Sequence, residues 1–215
     1  MIGLLGGTFD PVHFGHLRPA IELLEALCLT EVRLVPGRLP PHRPQPRLTP
    51  TRRRQLLQLA VRDIPGLVVD GRELDRIGPS YTIDTLRAIR EEVGPNQSIC
   101  FALGSDAFCH LMSWHQWTSL TQYAHLVILT RAGHGGGMPP ALTDWVAKHA
   151  VQSASLLRAE PAGRVYRQPV ARLEISATSI RQLFAQGRSA RGLMPDVVWN
   201  ELAGSGEYGY PQVST

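Results

Sequence analysis

Lysine is nearly missing from this chain. Lys148 is the only one, so the 22 basic residues are almost all arginine. No lysine therefore stands in a glycine-rich turn to reach nucleotide phosphates, which excludes a P-loop. Lys148 itself sits in a plain amphipathic stretch, so chemistry through a covalent lysyl intermediate is disfavoured. Cysteine is sparse as well. Cys28, Cys100 and Cys109 have neither paired spacing nor a metal-ligand pattern, each lies in an apolar context, and they read as reduced core thiols. No apolar run is long enough to span a bilayer, and no basic segment followed by an apolar stretch opens the chain. A cytoplasmic protein without a membrane partner is expected. The dinucleotide fingerprint Gly-x-Gly-x-x-Gly is also absent.

The remaining composition is ordinary for a globular protein. A length of 215 residues, 43% hydrophobic and 19% charged, suits one domain or one domain with a small appendage. The net charge of +4 fits an anionic small substrate as well as nucleic acid. A nucleic-acid module would concentrate its charge in a stripe with interleaved aromatics, whereas these arginines are scattered. Homo-oligomerisation stays open.

The densest chemistry lies in Gly6-Gly7-Thr8-Phe9-Asp10-Pro11-Val12-His13-Phe14-Gly15-His16. Ile2, Leu4 and Leu5 before it read as a buried strand. Leu17, Ala20, Ile21, Leu24 and Leu27 after it recur at helical spacing, so a helix starts near Phe14. A helix start presents free N–H groups and the positive end of the dipole, and glycine lets an anion come close to the backbone. His13 and His16, three residues apart, share one side of the first turn and can donate to phosphoryl oxygens. Taken singly, each histidine reads equally well as an ordinary half-exposed side chain.

Strand-like runs at 31–35, 67–69, 98–103, 125–129 and 170–175 alternate with helical patterns at 52–62, 83–92 and 142–149. This alternation predicts an α/β fold, a Rossmann-like doubly wound parallel sheet with ligands beyond the carboxyl ends of its strands. A small C-terminal helical portion of a single domain, about residues 176–204, is expected to end in a helix at 193–202 starting with Pro195, with 204–215 frayed. The stretches 36–50 and 133–140 read as loops. Arg52, Arg53 and Arg54 open a helix whose Leu56, Leu57, Ala60 and Val61 face inward, and most of that basic run reads as a solvated face.

A second constellation, Ser176-Ala177-Thr178-Ser179-Ile180-Arg181, follows the run at 170–175 as another strand-to-helix junction. Ser179 and Gln182 fit a capping box, which would reduce the hydroxyls to helix caps. Capping does not require Arg181, whose planar fork suits a polyphosphate and lies on the same side as Thr178.

Together the two constellations resemble the nicotinate mononucleotide adenylyltransferase family. Pro40-Pro41-His42-Arg43, Ser80-Tyr81-Thr82 with Thr85-Leu86, Gly104-Ser105-Asp106, Trp114, Thr130-Arg131-Ala132-Gly133 and Leu193-Met194-Pro195 extend the resemblance over nearly the whole chain, in order. It implies transfer of the adenylyl group of magnesium ATP to nicotinate mononucleotide, giving deamido-NAD and pyrophosphate. Carried over, Gly6, Gly7, Thr8 and Phe9 line the nucleotide site, and His13 and His16 hold the ATP phosphates. Ser176, Thr178 and Arg181 bind the triphosphate, so His13, His16 and Arg181 carry the catalysis. Gly104 and Asp106 take ribose hydroxyls. Tyr81 and Thr82 read the pyridine carboxylate, Trp114 stacks on the pyridine ring, and His42, Arg43 and Arg131 lie near the acceptor or the phosphates. No protein ligand to the metal is implied, since magnesium arrives through the ATP phosphates.

On residue type alone, Trp114 and Trp117 equally suit packing, and Trp117 is assigned to the core. Asp106 equally suits a helix cap, and the Pro40–Arg43 stretch a stiff basic loop. Two departures from the family stand out: the glycine-rich stretch 133–137, and Trp199-Asn200 where tyrosine is common. The nearest alternatives are a pantetheine-phosphate adenylyltransferase, which commonly has threonine where His13 stands, and an enzyme preferring nicotinamide mononucleotide. A non-catalytic nucleotide sensor would have lost His13, His16 or Arg181, and all three are present.

Overall fold

The computed structural model describes residues 1–38, 45–130 and 138–211. Strand β1 (Ile2–Gly7) sends Ile2 and Leu4 to one face and Leu5 to the other, all buried, as befits a strand covered on both sides. Helix α1 (Phe14–Ala26) follows it, burying Leu17, Ala20 and Leu23. Its last carbonyls do not face water alone. The Arg158 guanidinium donates to Leu27 O (2.7 Å) and Cys28 O (2.9 Å), placing a cation at the negative end of the helix dipole. Cys28 itself is exposed rather than in the core, because its backbone takes the left-handed turn that ends the helix (φ 44). Of the other two thiols, Cys100 is buried and Cys109 half-buried.

The elements continue as β2 (Glu31–Pro36), α2 (Pro50–Val61), β3 (Leu67–Val69), α3 (Arg72–Asp75), α4 (Thr82–Val93), β4 (Ile99–Gly104), α5 (Ser105–Cys109), β5 (His125–Thr130), α6 (Pro140–His149), α7 (Leu156–Ala159), β6 (Val165–Pro169), α8 (Ala177–Ala185) and α9 (Asp196–Ser205). Thr49 caps α2 by accepting from Arg52 N, with Pro50 at the first helical position. Gly94, at φ 84, ends α4.

All strand pairs are parallel, in the order β3-β2-β1-β4-β5-β6. The chain winds outward from β1 in one direction and from β4 in the other, so the crevice beyond the carboxyl ends of β1 and β4 is the switch point where such sheets bind ligands. Leu5 pairs with Ala102, and both strands run two residues further, to Gly7 and Gly104. The two glycine ends flank that crevice.

Two cores lie on opposite faces of the sheet. One joins Leu5, Cys100, Ala102, Val127 and Leu129 to residues of α1, α2, α8 and α9. The other joins Ile2, Leu4, Ile99, Phe101, Leu103, Leu126 and Ile128 to residues of α4, α5 and α6. Ile180, Phe184, Val198, Trp199 and Leu202 of α8 and α9 share the first core with Leu17 and Leu56, so the C-terminal helices are packed directly on the sheet layer. Among the described residues, no helix is long and apolar enough to cross a membrane.

Two further expectations fail here. The run at 170–175 is not a strand; the sixth strand is Val165–Pro169, just before it. Edge position allows β6 the polar sequence VYRQP, of which only Val165 is buried, so its alternation is hidden. Within 170–175 only Val170 is buried; its N–H still donates to Thr130 O (3.0 Å) and that of Ala171 to Glu22 (2.7 Å), after which the segment crosses to α8. The tail is also ordered further than expected, since the turn Glu207–Gly209 buries Tyr208 in the first core.

Candidate active site

Between β1 and α1 the backbone must fold tightly under the glycines. Phe9 takes a left-handed conformation (φ 49), and its ring is buried beneath Gly7, where a Cβ would stand 2.9 Å from the ring. The same ring tilts against His16, with centroids 4.8 Å apart. His13, in extended conformation, is the N-cap residue of α1. One turn on, the His16 ring stacks on the His13 ring at 3.8 Å and 27°. Gly15 lies between them, and a Cβ there would stand 2.9 Å from the His13 ring and 2.8 Å from the Ile175 carbonyl oxygen. The His-x-Gly-His spacing thus does two things: it pairs the imidazoles, and it lets α1 close on the entry to α8.

At that entry Ser176 is the cap residue. Its hydroxyl accepts from Ser179 N (3.1 Å), and the Ser179 hydroxyl accepts from Ser176 N (3.3 Å) in return. The capping box therefore begins three residues earlier than the Ser179 and Gln182 pairing expected, and the Ser176 hydroxyl is engaged in it. Arg181 is oriented from both ends of its fork. One amino group donates to the Asp10 carbonyl (2.7 Å) and the other to Thr178 Oγ1 (3.2 Å). Residues 171 positions apart are thereby joined, and the starts of α1 and α8 are held close together.

The other wall belongs to the second core. Phe101 of β4 lies 3.8 Å from where a Gly6 Cβ would be, and Trp114 packs edge-on against Phe101 with centroids 6.2 Å apart. Tyr81 is the N-cap residue of α4, directly before Thr82, and its ring meets His115 at 4.6 Å. Gly104 has open space where a Cβ would be, and Asp106 is exposed in the first turn of α5, where Gly104 rather than Asp106 takes the cap position. Thr85, one turn into α4, donates to Glu73 (2.7 Å); burial raises the pKa of that carboxyl.

The cytidylyltransferase-like family profile matches residues 4–183. A protein of Halorhodospira halophila named "Probable nicotinate-nucleotide adenylyltransferase" is 49% identical over 212 residues, 99% of this chain and 97% of its own. One of Aeromonas salmonicida with the same name is 44% identical, covering 96% of each chain. The chain belongs to the nicotinate-nucleotide adenylyltransferase family. Solved structures of the Plasmodium falciparum nicotinic acid mononucleotide adenylyltransferase, complexed with APC and with NaAD, share the fold at a TM-score of 0.68. They are 17% and 18% identical to this chain, covering 98% of both chains in each case.

Within this nicotinate-nucleotide adenylyltransferase fold, the residues that hold the first turn in place were not singled out by sequence. Arg53 is only 1% exposed, not part of a solvated face. Its guanidinium donates to Thr8 O and Gly37 O (2.7 Å each) and Arg38 O (3.2 Å), clamping the turn after β1 to the end of β2. Arg52 pairs with Glu201 and Glu207, and Arg54 with Asp75, so the whole run is spent on structure. Asp10 is buried, accepting Arg47 N (2.9 Å) on Oδ2, and Leu48 N (3.1 Å) and the Tyr208 hydroxyl (2.6 Å) on Oδ1. A buried arginine opposite backbone carbonyls carries no sequence pattern; the Asp10 to Tyr208 link spans nearly the full chain. Trp117, assigned to the core, is half-buried edge-on to Trp145. His42, Arg43 and Arg131, expected near the acceptor or phosphates, lie outside the described residues.

Proposed function

We propose that this chain, acting in the cytoplasm, transfers the adenylyl group of ATP to nicotinate mononucleotide. A phosphate oxygen of the mononucleotide attacks the α-phosphorus, the bond from that phosphorus to the bridging oxygen breaks, and pyrophosphate leaves with deamido-NAD formed. The nucleophile is already anionic at neutral pH, so the barrier lies in bringing two anions together and stabilising charge on the departing group. Donors and fixed cations answer that need, and a strong general base does not enter.

The observation that carries this reading is the closure of α1 on α8, with Gly15 against Ile175 and Arg181 bound to the Asp10 carbonyl. It brings two helix N-termini, two stacked imidazoles and one guanidinium close together, a combination suited to an anion. His13 and His16 donate to the α- and β-phosphates, and Arg181 with Thr178 takes the leaving pyrophosphate. Ser176 contributes through the helix end that it caps. Gly6, Gly7, Thr8 and Phe9 line the nucleotide with backbone, and Gly104 and Asp106 take ribose hydroxyls. Tyr81 and Thr82 at the start of α4 receive the pyridine carboxylate, while Trp114 stacks on the ring. Arg131, His42 and Arg43 complete the acceptor side in this reading.

Magnesium enters as the ATP complex. Both oxygens of the Asp10 carboxylate are already engaged as acceptors, so this carboxylate is fitted to the turn rather than to an ion. When bound to the triphosphate, the ion neutralises part of its charge.

The decisive assay measures pyrophosphate release from magnesium ATP with nicotinate mononucleotide, nicotinamide mononucleotide and phosphopantetheine offered separately. Turnover with the first is expected; none with it overturns the reading. Preference for the second acceptor would move specificity to the amide without changing the donor chemistry.

A further inference from the structure

Tyr208 lies in a C-terminal turn outside every motif of the family resemblance, yet its hydroxyl reaches the centre of the donor site. It is 9% exposed and left-handed at φ 60, between Gly206 (φ 69) and Gly209 (φ 81). A residue with a Cβ holds that conformation at a steric cost and persists there only when its surroundings fix it. Phe9, next to Asp10, is also left-handed. The hydrogen bond from the Tyr208 hydroxyl to Asp10 Oδ1 thus joins two strained turns.

The surroundings of Tyr208 all lead to Arg181. Its ring packs against Phe184 (centroids 5.8 Å), three residues beyond Arg181 on α8. Its neighbour Glu207 is fixed to α2 by Arg52, adjacent to the buried Arg53 that holds Thr8. Through Asp10 the hydroxyl meets Arg181: the Nη1 amino group that donates to the Asp10 carbonyl (2.7 Å) also stands 3.9 Å from Asp10 Oδ2. The carboxylate is held back from a closer ion pair by Arg47 N, Leu48 N and the phenol. A phenylalanine would fill the same space, so packing alone does not call for the hydroxyl.

We propose that Tyr208 is a positioning residue of the donor site: by holding the Asp10 carboxylate, it limits the Asp10–Arg181 ion pair to a loose 3.9 Å contact and leaves the guanidinium turned toward the triphosphate. This rests on the adenylyl-transfer reading above. With the hydroxyl gone, the carboxylate can rotate toward the guanidinium, and a guanidinium paired with a carboxylate is a weaker partner for phosphate.

The test is Tyr208→Phe, alone and combined with Arg181→Lys, read by KM and kcat for both substrates and by calorimetric binding of magnesium ATP without acceptor. Loss of one hydrogen bond to a charged group predicts an about tenfold weaker KM and Kd for ATP. KM for nicotinate mononucleotide should change by less than about twofold, and Tyr208→Phe should add less than about twofold in the Arg181→Lys background, since the two act through one contact. Unchanged ATP binding in Tyr208→Phe overturns the proposal, as does an equal loss in both backgrounds, which would mark a merely structural role. A parent protein that binds ATP but does not turn over nicotinate mononucleotide would refute only the functional reading, and the ATP affinities would still decide the role of Tyr208.

Discussion

Gly15 and Ile175 meet so closely that the place of a Cβ on residue 15 is 2.8 Å from the Ile175 carbonyl oxygen. Backbone cannot yield as a flexible side-chain end can, and the His13 ring stands equally near on the other side. Gly15→Ala is expected to push α1 and α8 apart, costing about 1–3 kcal/mol of stability and, through the misplaced imidazoles, turnover as well. Urea denaturation and pyrophosphate release check the two parts. An alanine variant as stable and as active as its parent would mean that the helices are not coupled here.

His16→Ala is expected to lower turnover by about 10²–10³, the usual effect of removing one preorganised donor from a transition state. His13→Ala should lose as much in rate and also some stability, because its ring is buried and stacked. Near-normal release of pyrophosphate by the His16 variant would remove it from the mechanism.

Arg53→Met leaves three carbonyls without their common donor, those of Thr8, Gly37 and Arg38. The loss should be about 3 kcal/mol in chemical denaturation, from orphaned buried acceptors. Burial lowers the Arg53 pKa from its ordinary value, but a guanidinium stays charged in proteins, so this contribution does not vary between pH 6 and 9. A variant within about 0.5 kcal/mol of the parent, the range of ordinary surface changes, would contradict the clamp.

His125 is fully buried in β5, with Arg164 N donating to Nδ1 (3.1 Å) and Nε2 donating to the Glu160 carbonyl (2.9 Å). This arrangement requires the neutral ring, and burial holds its pKa below the ordinary value. In the unfolded chain the ring takes up a proton as pH falls below about 6.5, whereas the folded ring does not. The unfolded state then holds more protons, so stability is complete above that pH and falls as pH drops toward the folded pKa, by at most about 1.4 kcal/mol per pH unit. Denaturation at pH 7.5 and 5.5 should show the loss, and His125→Gln should shrink the difference. An equal difference in the glutamine variant would assign the pH dependence to other groups.

What could be read from sequence was local. The strand-to-helix turn around Gly6 and His16 declares itself through apolar spacing and glycine, and 67–69 matches β3 residue for residue. Most of the failures share one cause, that the deciding partner lies far along the chain. VYRQP becomes a strand only because β5 offers an edge. Arg53 is a core residue only because three carbonyls from two other loops converge on it. Asp10 sits inside the most informative segment and still had no assigned role, since its partners are Leu48 and Tyr208. His115 was missed because its contact with Tyr81 depends on how the chain returns after β4.

The two cores on either side of the sheet have a consequence for how such an enzyme can change. The histidines, Arg181 and their supports are anchored in the layer of α1, α2 and α8, whereas Tyr81 and Trp114 rest on the layer of α4 and α5. The sheet is a partition through which side chains do not mix. In the adenylyl-transfer reading, substitutions around Tyr81 and Trp114 would retune the molecule that attacks while leaving α1 and α8 packed in their own layer. One donor platform can in this way be refitted to a different acceptor by rebuilding half a protein.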